Sequence, residues 1–242
     1  MSNKYMIYLT AAVMLLFGTS GCIRVGELEV VSQKVELDNA EQVKIDLKIR
    51  AGELDIRGGG AQLMDATFSY NVSRWKPIVE YEVLGGRGEL TIKQGRTRGI
   101  PFGNTENKWE IYLGKNIPVD FEIDFGAGEG KLDCREIDVR TLAIDMGVGD
   151  LFLDLRGERI DDVNVNIDGG VGSGRIYLPH DIGVRVHIDG GLGSIETIGL
   201  QKKGELYINE AYEQSEITID IDIDAGIGSI DLIVKELSLI HI

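Results

Sequence analysis

Cysteine is nearly absent from this 242-residue chain: only Cys22 and Cys134 are present. If Cys22 is consumed in processing, no intrachain disulfide can form, and the fold must rest on burial and backbone pairing. Helical periodicity is missing too, since nowhere do apolar residues recur at three-to-four spacing over a dozen positions. There are only four prolines, so little interrupts an extended chain. Cationic residues are in the minority, 25 Lys+Arg against 40 Asp+Glu for a net charge of −15. That balance repels phosphate backbones and excludes nucleic acid as a partner. Beyond the N-terminus no apolar run approaches the roughly 20 residues of a membrane-spanning helix.

What is present begins with an export signal. Residues 1–22, MSNKYMIYLTAAVMLLFGTSGC, place one Lys before an apolar stretch from Tyr5 to Phe17, and small residues Gly18–Gly21 before Cys22. Small residues directly before a Cys resemble the bacterial lipobox, so Cys22 is expected to be lipidated and to anchor the mature chain to a membrane. Thr19 departs from the Leu usual in that motif. Simple secretion and a retained anchor are the alternatives. Cys134, in KLDCREI, falls in phase with Leu132 and reads as a small buried residue.

The second half of the chain repeats a phrase: alternating apolar and acidic residues, Gly-x-Gly, then another apolar strand. The copies are FEIDFGAGEGKL (Phe121–Leu132), LAIDMGVGDLFL (Leu142–Leu153), VNIDGGVGSGRIYL (Val165–Leu178), VHIDGGLGSIETI (Val186–Ile198) and IDIDAGIGSIDLI (Ile221–Ile233). Their first Gly-x-Gly glycines are Gly126, Gly147, Gly170, Gly191 and Gly226, at steps of 21, 23, 21 and 35. Short strands repeating about every 20 residues predict stacked rungs, an all-β solenoid with Gly-x-Gly corners. Period-two alternation elsewhere, as in VKIDLKI (Val43–Ile49) and VDFEIDF (Val119–Phe125), agrees with strands that bury one face. The 32 glycines suit corners at positive φ and close approach of rungs.

A weaker echo, RAGELDI (Arg50–Ile56) and GRGELTI (Gly86–Ile92), aligns Gly52 and Gly88 with the second glycine of the phrase. The expected organisation is a signal peptide at 1–21, a linker at 22–39, a less regular N-terminal β region at 40–117 and solenoid repeats at 118–236. Residues 94–108, with Arg96 and Arg98, read as a long loop. The ending LSLIHI (237–242) breaks the repeat and reads as sequencing-adapter read-through, which removes His241 from any site and leaves open whether the native chain continues past Glu236.

Several patterns bear on chemistry. Gly126-Ala-Gly128-Glu-Gly130 and Gly170-Val-Gly172-Ser-Gly174 run into strands rather than opening a helix, so they do not form a phosphate-binding loop and no nucleotide is expected. Asp145, Asp168, Asp189 and Asp224 each precede a corner, and stacking would align them in one column. Hydrogen bonding to turn amides is one reading of that column and cation binding, calcium above all, the other. The calcium-roll repeat places its ligand Asp where Gly174 and Ile195 stand. Asp220, Asp222 and Asp224 alternate outward and raise a carbohydrate-active enzyme as an alternative. His180 and His187 lack a nucleophile at motif spacing and read as surface histidines. Trp75, Trp109, Tyr70, Tyr81 and Tyr112 are either a sugar platform or the cover of a core end.

Taken together, WEIYLGKNIPVDFEIDFGAGEGKLD (Trp109–Asp133), LAIDMGVGD (Leu142–Asp150) and the IDGGxGS phrases resemble the bacterial toast-rack family, related to adhesin-type β-solenoids and to the C-terminal domain of the cell-wall-stress regulator LiaF. The transmembrane helices of LiaF proteins have no counterpart here. The resemblance implies a stacked β-scaffold on a cell-envelope protein and carries no catalytic motif and no cofactor. The expected function is a non-enzymatic, exported, lipid-anchored acidic scaffold that contacts a protein or cell surface, with a link to envelope stress. A calcium-dependent adhesin is the further alternative.

Overall fold

The computed structural model describes residues 23–95, 101–115 and 117–236. Cys22, residues 1–21, Arg96, Arg98 and the ending 237–242 lie outside the described residues. In chain order the strands are β1 (Ile23–Arg24), β2 (Glu29–Val35), β3 (Gln42–Gly60), β4 (Met64–Tyr70), β5 (Pro77–Leu84), β6 (Arg87–Gln94), β7 (Pro101–Phe102) and β8 (Asn107–Gly114). They continue with β9 (Val119–Asp133), β10 (Val139–Asp154), β11 (Val163–Leu178), β12 (Gly183–Ile198), β13 (Gln201–Lys203), β14 (Leu206–Ile208) and β15 (Thr218–Val234). A 3-10 turn, Ser73–Trp75, precedes β5.

The five copies of the repeated phrase are β9, β10, β11, β12 and β15, and β3 is a sixth rung. All six pair in parallel, in the order β12-β15-β11-β10-β9-β3. Each rung is one strand of 15 to 19 residues running through its corner, rather than two short strands. Period-two alternation sets what faces inward. Ile45, Phe121, Leu142, Val165, Ile221 and Val186 are in register across the first arm, and Ile56, Leu132, Leu153, Ile176 and Leu232 across the second. All of them are buried in one hydrophobic core. Each such side chain removed from water contributes about 1.5–3 kcal/mol.

The stack departs from chain order once. β15 lies between β11 and β12, and the 35-residue step before it holds the β13–β14 hairpin, whose β14 pairs antiparallel with Arg185–His187 of β12. Asn209 closes this end: its Oδ1 accepts the Val184 amide at 2.9 Å and its Nδ2 donates to Ile182 O at 2.7 Å.

At the other end the two arms part. The first arm of β3 continues to β6 and β5, and its second arm to β8, β4 and β2. The sheet is therefore folded along its line of corners, with the core between the arms. No further Gly-x-Gly rung follows β3, and two buried side chains complete the corner instead: Gln94 Oε1 accepts the Arg50 amide at 2.8 Å, and Asn107 Nδ2 donates to Ala51 O at 2.7 Å. β3 and β9 pair directly across the boundary placed near residue 117, so the two regions share one sheet. Residues 29–35, expected within a linker, form β2, because Val31 and Val35 pack against the core beside β4. Gly88 is not a corner; it lies opposite Val43 within the β3–β6 pairing.

Glycine at the corners answers two demands. Gly128 and Gly149 have φ of 133° and 146°, a region L side chains avoid. A Cβ on Gly149 would also collide with the carbonyl oxygen of Gly128 in the rung beneath, and one on Gly128 with that of Gly52. The second demand outlasts the first: Gly193 lies outside the positive-φ set, yet a Cβ there would strike the Gly228 carbonyl.

Candidate functional site

The fold turns sequence positions into columns. The residue before each corner segment faces out, and pairing brings Asp124, Asp145, Asp168, Asp224 and Asp189 into adjacent rungs in that order, with Lys48 beside Asp124. The four aspartates read from the sequence are thus neighbours, and Asp124 is a fifth that the sequence reading omitted. Its signal was FEIDFG (121–126), which carries the same Asp one position before an apolar residue in place of Gly.

All five are exposed. Among the described residues no hydrogen bond joins any of them to a turn amide, which removes the expected capping role; in water at a rung spacing of about 4.8 Å their mutual repulsion is modest. Also among the described residues, no three His, Cys, Asp or Glu side chains converge as metal ligands.

In the outward rows nearer the strand starts, side chains of adjacent rungs make polar contacts. On β12 and β15, Arg185 pairs with Asp220, and His187 Nδ1 stands 3.5 Å from Asp222. On β9 and β10, Thr141 donates to Asp120 at 2.8 Å. Asp220, Asp222 and Asp224 therefore occupy alternate places on an open outer face, the first paired with Arg185 and the second beside His187. His180 is exposed in the turn between β11 and β12.

Running beside the acidic column is an apolar ridge formed by the middle residue of each corner. Ala51, Ala127, Val148, Val171 and Ile227 are in register, and the last three are 54%, 48% and 56% exposed. The molecule thus presents one stripe of carboxylates and one of aliphatic side chains on a rigid sheet.

At the far ends of the second arms, the sequence held a signal that went unread, Asp-x-Arg in three successive rungs. Asp55–Arg57, Asp133–Arg135 and Asp154–Arg156 each close a forked ion pair; Asp133 and Asp154 are in register on β9 and β10, and the β3 pair is offset by two residues, which sets Arg57 opposite Asp133. Burial pushes the Asp133 carboxyl up, but the hydrogen bonds and charge of Arg135 outweigh it and hold the group below its ordinary value. Nearby, the buried Arg159 guanidinium donates to the carbonyls of Cys134, Leu155 and Ile137, each at 3.0 Å, and so ties two successive turns. Cys134 itself is fully buried, and burial pushes its thiol up to about 12. Tyr70 and Trp109 are buried, Trp109 edge-on to Phe68 at 5.3 Å, so these aromatics cover the core and do not form a sugar platform.

The family description "N-terminal domain of toast_rack" matches residues 24–177. A crystal structure of a candidate cell adhesion protein from Clostridium sporogenes is similar at 34% identity, over 86% of this chain and the whole of that one, with a TM-score of 0.82. Candidate adhesins from Bacteroides fragilis and Parabacteroides distasonis align over 85% and 86% of this chain and 97% of each of theirs. Their identities are 14% and 12%, and they superpose poorly, at TM-scores of 0.29 and 0.30. No curated protein matches the chain.

Proposed function

Because the chain belongs to the toast-rack family, we propose that it is a non-enzymatic interaction scaffold of the bacterial cell envelope, lipid-anchored through Cys22, that presents its striped outer face to a protein or cell surface. The observation that carries the reading is the register of that face: five exposed aspartates stand in adjacent rungs beside an exposed aliphatic ridge. Parallel pairing on both sides of every rung but β12, which has β15 on one side only, fixes the spacing, so the face is pre-organised and loses little entropy on contact. The Clostridium sporogenes protein, named for cell adhesion, supports a surface or protein-contact role. Among the described residues no helix is long and apolar enough to cross a membrane.

The test combines adhesion with anchoring. Cells that make the protein should adhere to neighbouring cells or an immobilised surface more than deletion cells, and Asp145→Asn, Asp168→Asn and Asp224→Asn together should abolish the gain with the melting midpoint kept. Cys22→Ser should stop incorporation of labelled fatty acid and release the protein from membranes. Adhesion unchanged by deletion overturns the contact role, and equal labelling of both forms overturns the anchor.

A further inference from the structure

Two columns of inward side chains fill the space inside the line of corners, one from each arm. On the first arm the column reads Ile49, Phe125, Met146, Gly169, Ala225, Gly190, and on the second Leu54, Gly130, Leu151, Gly174, Ile230, Ile195. In β9 the missing side chain of Gly130 is made good by Phe125, 3.9 Å from where a Cβ would stand, and by Leu151 at 3.6 Å. In β11 both positions are glycine, and β15 and β12 add only Ala225 and Gly190 on the first arm. The result is a cavity of about 100 Å³ whose walls include Met146, Leu151, Ile167, Ile176, Ile223 and Ile230. It reaches the surface where Val171, Ile195 and Ile227 are exposed.

The corner does not force this vacancy. Gly170 and Gly172 are held to glycine by carbonyl oxygens of the adjoining rung. Gly169 and Gly174 are not: neither has positive φ, a Cβ on Gly174 would meet nothing within 4 Å, and one on Gly169 would meet only Asp224 O, at 4.0 Å. Met or Leu, which the adjoining rung carries at these two positions, would close the space.

We propose that this cavity is a binding site for the end of an aliphatic chain, the alkyl or acyl tail of an amphiphile with a cationic or neutral head. No charged side chain lines it, and beside the aliphatic walls the polar side chains are only Ser173, Ser194 and Ser229, so water has few hydrogen-bond partners there and apolar matter is favoured. Its volume is below the roughly 150 Å³ that accepts benzene, which selects a slender chain over a ring. Charge at the mouth selects the head: Asp168 and Asp224 precede Val171 and Ile227 by three residues at the same corner, within about a Debye length, so a carboxylate head is repelled and an ammonium attracted. The mouth shares Asp168, Asp224, Val171 and Ile227 with the contact face above, and Gly174→Leu, which leaves all four in place, separates the two: lost decylamine binding with adhesion kept bears on the cavity alone.

The probes are n-alkylamines of six to twelve carbons, 1-decanol and decanoate, titrated calorimetrically into the purified protein below their micellar concentrations. Affinity should rise about fourfold per methylene, the gain from burying one CH₂, and level off once the cavity is full, with decylamine tighter than decanol and decanoate weakest. Gly174→Leu should weaken decylamine at least tenfold while keeping or raising the melting midpoint. Gly169→Met serves the same end should the first variant fail to fold. Absence of saturable binding by any probe, tightest binding by decanoate, or undiminished binding by a folded filled variant overturns the proposal.

Discussion

Gly149→Ala is the smallest change that probes why the rungs stack. At a φ of 146° an L side chain costs about 1–3 kcal/mol. The added Cβ also collides with the Gly128 carbonyl, so β9 and β10 must part locally and surrender one or two ladder hydrogen bonds at about 1 kcal/mol each. The expected loss is about 2–5 kcal/mol, read as a lower urea midpoint at unchanged m. Gly174→Ala is the control: its Cβ meets open space at ordinary φ, and a smaller unfolded-state entropy should leave the protein as stable or better by up to about 1 kcal/mol. Gly193→Ala divides the two causes, because it keeps the carbonyl collision without positive φ and should fall between the others. A Gly149→Ala protein as stable as the Gly174→Ala protein would refute the reasoning.

Arg159→Met should destabilise by about 1–3 kcal/mol in the same assay, because it leaves the Leu155 carbonyl without a donor and the Cys134 and Ile137 carbonyls with only the Ile137 and Val139 amides; no loss of stability would contradict the clamp. Cys134 has a folded pKa of about 12 against 9.0 for the free thiol. A raised folded pKa means its contribution is intact below pH 9 and is lost as pH rises toward 12. The slope approaches about 1.4 kcal/mol per pH unit there, and Cys134→Ala should lack that component. The same thiol should react with a disulfide reagent only after unfolding. Millimolar calcium should leave the melting midpoint where a chelator leaves it, because the exposed aspartates form a line and do not converge; a rise beyond that given by sodium chloride of equal ionic strength would promote the cation-binding reading.

The repeat was legible because its signals are local. Alternation in FEIDF or ITIDIDI fixes which side chains face in, and Gly-x-Gly marks where backbones approach, so the rungs, the acidic column and the burial of Cys134 could be read directly. Insertion of β15 between β11 and β12 could not, because Ile219, Ile221 and Ile223 offer either neighbour the same aliphatic row. Gly88 misled since GRGELTI shares letters with the phrase, but the strand before it, β5, turns back at Gly85 and Gly86 and pairs antiparallel with β6 instead of running on through a corner. The fork pairs were hidden because Asp-x-Arg at the surface is common, and only stacking gives it meaning. The cavity was hidden because Gly169 and Gly174 look like corner glycines until the carbonyls are found to approach Gly170 and Gly172 instead.

The position of β15 has a consequence for how the chain assembles on synthesis. Through β11 each new rung docks on the one just made, and the family match ends at residue 177, within that strand. β12 is then made with its long partner still to come, and the free edge of β11 stays open until β15 arrives. During that interval β12 can pair prematurely with β11 and must be displaced, a long-range step slower than the earlier ones. Both exposed edges are templates for another chain in the meantime. The final third of the molecule is therefore where a truncated or stalled product would aggregate.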